Sequence, residues 1–289
     1  MNRMLRMGGW RIIYTPASDA FFNMALDETL LLSCQNESSC PVLRLYLWSP
    51  PAVSIGYSQS VKRTVDLKRC KERGVQVVRR ITGGRAVLHE DEITYSVCAS
   101  TDLWPRLGNT TRQTYQRISW AFLESLRFLG IEGEWVKPSP KIKPPWLDPG
   151  LSKPCFASCS RYEITVGGKK LIGSAQRRFS LRSGGDRKHS FIQHGSILTG
   201  EGQHSLAEFL PGEHARDEMR RTLKNSVTDL GRIVKRRVEP EQMISALKRG
   251  FEKVFASRME DSEVSREELE VALSLKESKY LRDEWNLLR

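Results

Sequence analysis

Several features are missing from this chain, and each absence narrows what it can be. No apolar run approaches the roughly 20 residues needed to span a bilayer, so no membrane partner is expected. The opening residues, MNRMLRMGGW, contain no continuous apolar segment, and no secretory signal is visible. The six cysteines, at 34, 40, 70, 98, 155 and 159, form no CxxC pair and follow no regular spacing. With five scattered histidines, this pattern argues against a disulfide framework and against a zinc site. Reduced thiols, a cytoplasmic location and no metal are the resulting expectations. No internal repeat is apparent, and no RNP, zinc-finger or helix-turn-helix pattern accompanies the basic residues. The formal net charge is nonetheless +12, from 46 Lys and Arg against 34 Asp and Glu. These charges are dispersed, so they call for an acidic partner without pointing to nucleic acid.

What is present fits a globular chain. The 289 residues, 39% hydrophobic and 28% charged, can bury one sizeable core, or one large domain with a small appendage. Trp10 to Tyr14 reads as a first strand closed by Thr15 and Pro16. Ser18 or Asp19 can cap a helix through Ser33, with Phe22, Ala25, Leu26 and Leu30 facing inward. Within that helix the spacing of Asn23, Asp27 and Glu28 predicts a solvated face. Val42 to Trp48 alternates Leu43, Leu45 and Leu47 with Arg44, Tyr46 and Trp48, a strand with one polar face; Pro50 and Pro51 break it before Ala52 to Tyr57. Lys62 to Gly74 reads as an exposed helix stopped by its glycine. Thr110 to Gly130 is the strongest helix, with Tyr115, Ile118, Phe122, Leu126 and Leu129 at three- and four-residue spacing. Lys137 to Pro154 is proline-rich and predicts an irregular loop. A hairpin around Gly167-Gly168 joins Arg161–Val166 to Leu171–Gln176; Arg177 to Lys188 reads as a charged loop, and Ser190 to Leu198 as a strand. From His204 onward the chain reads as mostly helical.

The organising stretch is Val77 to Ala99, VVRRITGGRAVLHEDEITYSVCA. Ile93, Tyr95 and Val97 alternate with Thr94, Ser96 and Cys98, as a half-buried strand requires. Gly83 and Gly84 allow positive φ or close approach of a ligand, and Arg79, Arg80, Arg85 and His89 surround them with cations and donors. Such a bend suits a thioester carbonyl, a carboxylate or a phosphate. The same residues also fit an ordinary hairpin with a solvated basic rim, and spacing does not choose between the two.

Two further residues carry candidate chemistry. Cys155, in PCFASCSRYEITV, is the candidate nucleophile, because a thiol near a cation or backbone dipoles becomes a useful thiolate. It is equally a small apolar filler, as most such cysteines are, and Cys159 is its internal control. Lys170, in GGKKLIGSAQRR, is either a solvated edge charge or, beside a thioester, a group that favours the thiolate, polarises the acyl carbonyl and later manages a proton from the attacking amine.

Taken together these strings resemble the lipoate protein ligase A, octanoyltransferase and biotin ligase superfamily. Arg79, Arg80, Thr82, Gly83, Gly84, Val87 and His89 match its RRxTGGxxVxHD signature, with Glu90 in place of the usual Asp. Arg44, Tyr46, Trp48, Pro50, Ser54, Gly56, Tyr57 and Gln59 match RxYxWxPxxxSxGYxQ, and FNMALDE recurs at the family's corresponding place, which puts that helix beside the site. The run from Cys155 through Lys170, Gly173, Ser174, Ala175 and Gln176 to His194, Gly195 and Ser196 resembles the branch that uses a cysteine before the hairpin. Lys279-Tyr280 and Asp283 to Asn286 resemble a closing KY-x-x-DEWN.

The resemblance implies an α+β fold, a mixed and mostly antiparallel sheet packed by helices. It implies a catalytic core over 1–203, with a helical region over 204–289 packed on it. It implies an octanoyltransferase with Cys155 and Lys170 as catalytic residues. Arg79, Arg80, Thr82, Gly83, Gly84, His89, Gly173, Ser174, Ala175 and His194 would then bind substrate. The donor would be octanoyl–acyl carrier protein, the acceptor a lysine of a lipoyl domain or of the glycine cleavage H protein, and no cofactor is needed because a thioester is already activated. The alternative within the superfamily is an ATP-dependent lipoate ligase, which needs no cysteine. A binding or scaffold protein on the same fold is a third reading; Cys155 and Lys170 both being present weighs against it.

Overall fold

The computed structural model describes residues 9–35, 40–136, 163–183 and 186–288. Strand β1 (Trp10–Ser18) runs four residues past Tyr14. Pro16 falls inside an irregularity of its pairing, where no ladder N–H is required. Asp19 caps helix α1 (Ala20–Ser33) by accepting from the Phe21 and Phe22 amides at 3.1 and 2.9 Å. Strands β2 (Val42–Trp48) and β3 (Ala52–Ile55) flank the proline pair. The expected helix after Lys62 is divided into α2 (Val61–Thr64) and α3 (Leu67–Glu72) by extended backbone at Val65 and Asp66. Gly74, at φ +67°, stops it.

The glycine bend is not a hairpin. Strands β4 (Gln76–Arg79) and β5 (Val87–His89) do not pair with each other; both pair with β3, β4 parallel and β5 antiparallel. The glycines therefore lie in a loop crossing the end of β3, so close that a Cβ on Gly56 would stand 2.0 Å from the Gly84 carbonyl oxygen. A turn through Asp91, held at φ +51°, leads into β6 (Glu92–Ser100). Helix α4 (Thr111–Phe128) starts on the Thr110 hydroxyl cap and is followed by Gly130 at φ +74°.

Beyond β7 (Glu134–Trp135) and β8 (Ile164–Val166), strands β9 (Lys169–Ser183) and β10 (Asp186–Leu198) form a long antiparallel ribbon. This corrects the reading of Arg177–Lys188 as a loop. Two of its arginines are hydrogen-bonded to other parts of the fold: Arg177 donates to the Ile81 carbonyl at 3.0 Å, and Arg178 to the Thr114 and Thr101 hydroxyls at 3.0 and 3.1 Å. Helices α5 (Glu213–Ser226), α6 (Leu230–Val234) and α7 (Pro240–Phe255) follow. A strand not expected from the sequence, β11 (Met259–Asp261), comes next, then α8 (Arg266–Leu275) and α9 (Asp283–Asn286).

Among the described residues, eight strands form one sheet in the order β11-β1-β2-β6-β10-β9-β8-β7, and β4-β3-β5 form a second. Only the β11–β1 and β1–β2 pairs of the large sheet are parallel. The fold is α+β with a mostly antiparallel sheet, as expected.

The period-two alternation assigns the faces of the large sheet. Leu43, Leu45, Ile93, Tyr95, Val97, Ile172 and Ile197 point to one side, where α4 and α7 close the main core. Phe251 of α7 meets Trp10 and Phe122 edge to face, with centroids 5.5 and 5.4 Å apart, a geometry that favours such pairs by about 1 kcal/mol beyond area burial. The opposite face carries Arg44, Tyr46, Thr94, Ser96, His194 and Ser196. It is polar yet buried, covered by α1 and the small sheet.

Candidate active site

A narrow cleft lies between that polar face and the small sheet. Arg80, His89, Gly173, Ser174, Ala175 and His194, all singled out from the sequence, border it. So do Met24, Tyr46, Trp48, Ser54, Val87 and Thr94, which composition and spacing alone did not mark. Gly84 forms the rim at φ +89°; a Cβ there would stand 2.8 Å from Arg80 Nη2 and 3.6 Å from Ala175 Cβ. On the floor, a Cβ on Gly195 would lie 1.9 Å from the Gly173 carbonyl oxygen, so glycine is what lets β9 and β10 meet there.

The two arginines of the signature part company. Arg80 holds the glycine loop, donating from Nε and Nη2 to the Gly83 carbonyl at 3.1 and 2.8 Å and from Nη2 to that of Arg85 at 2.7 Å. It also grips Ser54 through Nη1 at 3.0 Å. Arg79 does not border the cleft. Its guanidinium is fully buried and donates to the carbonyls of Gly56, Tyr57, Gln59, Trp285 and Asn286 at 2.8–3.1 Å. The Trp285 indole returns a bond to the Arg79 carbonyl at 2.8 Å. The closing DEWN stretch is thus the clamp that seats the start of the signature.

Thr82 meets the cleft through His194. Its Oγ1 lies 2.5 Å from His194 Nε2, and His194 Nδ1 lies 3.1 Å from Asp27 Oδ2. A carboxylate only accepts, so Nδ1 carries the proton and Nε2 accepts from the Thr82 hydroxyl. Burial pushes His194 below the ordinary imidazole range, against the opposing pull of Asp27; at neutral pH the ring is uncharged. Asp27 has four partners: Arg44 and Ser96 at 2.8 Å on Oδ1, Tyr46 at 2.8 Å and His194 on Oδ2. Burial by itself would raise its carboxyl, but the His194 bond and the Arg44 charge bring it below the usual range. The expected solvated face of α1 is therefore wrong for Asn23 and Asp27, both buried, while Glu28 binds Lys279 and Tyr280. The recurrence of FNMALDE was the one signal that could have found them.

Lys170 owes its direction to a β-bulge. Ile164 pairs with Ile172 while Thr165 pairs with Lys170, so Leu171 is an extra residue and the alternation reverses there. Ile172 points to the main core; Lys170 points to the other face, that of Gly173 and Ala175. It is fully buried and forms an ion pair with Glu163. Cys155 and Cys159 lie outside the described residues, as does the proline-rich stretch. Among the described cysteines, burial pushes Cys34 and Cys70 up to about 12, Cys98 well above the ordinary thiol range, and Cys40 upward as well. All four are thiols at neutral pH, poor nucleophiles. No group of three metal-ligating side chains occurs among the described residues, and none of their helices is long and apolar enough to cross a membrane.

Comparison with known proteins agrees with this architecture. Over 282 residues the chain is 38% identical to the octanoyltransferase LipM of Kyrpidia tusciae, covering 97% of this chain and 99% of that protein. It is 36% identical over the same length to the octanoyltransferase LipM of Bacillus subtilis, covering 97% and 98%. Among solved structures, a bipartite lipoate protein ligase from Thermoplasma acidophilum superposes with a TM-score of 0.76 over 98% of both chains, at 25% identity. Residues 19–252 match the lipoyl protein ligase A/B catalytic domain, and the chain belongs to that family.

Proposed function

We propose that this protein is a cytoplasmic octanoyltransferase. It takes the C8 chain from octanoyl–acyl carrier protein onto Cys155 as a thioester. It then passes the chain to the ε-amine of a lysine on a lipoyl domain or the glycine cleavage H protein. The observation that carries this reading is the cleft. Met24, Trp48, Val87 and Ala175 give it apolar walls, and glycines 173 and 195 add no side chains to it. Burying six methylenes there stabilises the bound acyl chain by about 5 kcal/mol, at about 0.8 kcal/mol each. The end-to-end likeness to octanoyltransferases supports the choice of acyl group.

In this reading Arg80, Thr82, Gly83, Gly84, His89 and His194 shape and close the cleft, with Gly173, Ser174 and Ala175 as its floor. Lys170 steadies the thiolate and polarises the acyl carbonyl, while Arg79 is a positioning residue rather than a binding one. The thioester supplies the activation, so the route needs no ATP. The test is intact mass after incubation with octanoyl–acyl carrier protein in the absence of ATP and magnesium. One added octanoyl group, lost in Cys155→Ala and retained in Cys159→Ala, is expected. No adduct, with acylation of a lipoyl domain appearing only when ATP and free octanoate are supplied, would establish a ligase instead.

A further inference from the structure

A second acid–imidazole–hydroxyl chain crosses the wall of the cleft. Ser54 Oγ lies 2.7 Å from His89 Nε2, and His89 Nδ1 lies 2.6 Å from Glu92 Oε1. The proton positions follow from what each group can donate. Arg80 Nη1 donates to Ser54 Oγ, so the serine's own proton is directed at His89 Nε2. Glu92 accepts from His89 Nδ1 and from the Thr94 hydroxyl. Its other oxygen, Oε2, is buried and has no hydrogen-bond partner among the described residues. His89 is stacked on Trp48 at 4.0 Å with planes 13° apart, so the ring is fixed in orientation.

Position gives this chain a direction. Ser54 borders the cleft, whereas Glu92 borders a second groove; His89 and Trp48 border both. The imidazole therefore lies between the cleft and a second groove.

We propose that Ser54, His89 and Glu92 take the proton that the acceptor lysine must lose, and deliver it to the groove. The inference rests on the acyl-transfer reading above. A lysine side chain arrives as an ammonium and has no lone pair to attack with until one N–H bond breaks. That proton passes to Ser54 Oγ as the serine proton passes to His89 Nε2, and Glu92 stabilises the imidazolium. The freed nitrogen pair forms the C–N bond and the C–S bond of the thioester breaks. The sulfur takes a second proton from nitrogen as the amide forms, so one ammonium and one thioester give an amide, a thiol and one released proton. Ser54 is the group that touches the amine; His89 and Glu92 act through it.

The test compares two nucleophiles on preformed octanoyl-enzyme at pH 7. A lipoyl-domain lysine requires deprotonation, whereas hydroxylamine is already neutral. Ser54→Ala removes only the hydroxyl and keeps the carbonyl that Arg80 also grips; Glu92→Gln keeps the shape of the carboxylate. In Ser54→Ala the ratio of lysine transfer to hydroxylaminolysis should fall about 100-fold, the low end of what a general base contributes, and in Glu92→Gln it should fall by a smaller factor. A purely structural role would slow both nucleophiles by one factor, and that parallel loss, or no loss, overturns the relay while leaving acyl transfer intact. Absence of any octanoyl adduct on the wild-type protein would overturn the acyl-transfer reading and the relay with it.

Discussion

Replacing Arg79 with lysine separates positioning from binding. The guanidinium spreads five bonds over two backbone segments: Gly56, Tyr57 and Gln59 on one side, Trp285 and Asn286 on the other. A lysine keeps the charge but is a point donor of three bonds. Satisfying the three carbonyls around Nη1 leaves those of Trp285 and Asn286 without a partner. Two lost charge-assisted bonds at about 1.5–3 kcal/mol each give a loss of about 4 kcal/mol. With an unfolding entropy of about 2.1 cal/mol/K per residue, 289 residues carry about 0.6 kcal/mol/K, so the melting temperature should fall by about 6–7 °C. Thermal unfolding followed by circular dichroism measures this directly. Hydrogen exchange should quicken first at α9, whose backbone loses the clamp. A fall of under 2 °C, with α9 exchange unchanged, would refute the clamp and return Arg79 to the substrate.

Two other outcomes are expected. Gly84→Ala places a Cβ at φ +89° and 2.8 Å from Arg80 Nη2, whereas Gly83→Ala meets nothing within 4 Å; denaturant titration should show the first destabilised by about 1–3 kcal/mol and the second nearly neutral, and equal losses would mean that the loop is not held by Arg80. His194 has a lowered folded-state pKa, so the unfolded chain binds its proton more readily and stability falls as pH drops below about 6.5. His194→Gln should therefore lose less stability than wild type as the pH falls below about 6.5. Parallel pH curves would show that the ring is not buried neutral.

Much of the local structure was legible because its causes are local. Ser18 or Asp19 reads as a cap and Asp19 is the one that acts; Gly74 and Gly130 read as stops and adopt positive φ. The alternation in Val42–Trp48 and Ile93–Cys98 named which residues share a face. Misreadings arose where a partner is remote in the chain. Asp27 reads as a solvated acid until Arg44 and His194, 17 and 167 residues away, are brought to it. The charges of Arg177–Lys188 read as a loop because Ile81 and Thr114, their acceptors, belong to other elements.

By itself, then, the order of residues determined the family, the α+β class and six of the residues that border the cleft, since motif, period and cap are properties of neighbours along the chain. Tertiary structure decided the rest. It separated two adjacent arginines, sending Arg80 to the cleft and Arg79 into a cage of five carbonyls, two of them from the far end of the chain. It joined β4 and β5 through β3 instead of to each other. It turned Lys170 to the cleft face through a single extra residue, Leu171. Each of these depends on which strand lies beside which, and a side chain's direction in a sheet is fixed by its partner's register, which no stretch of sequence carries alone.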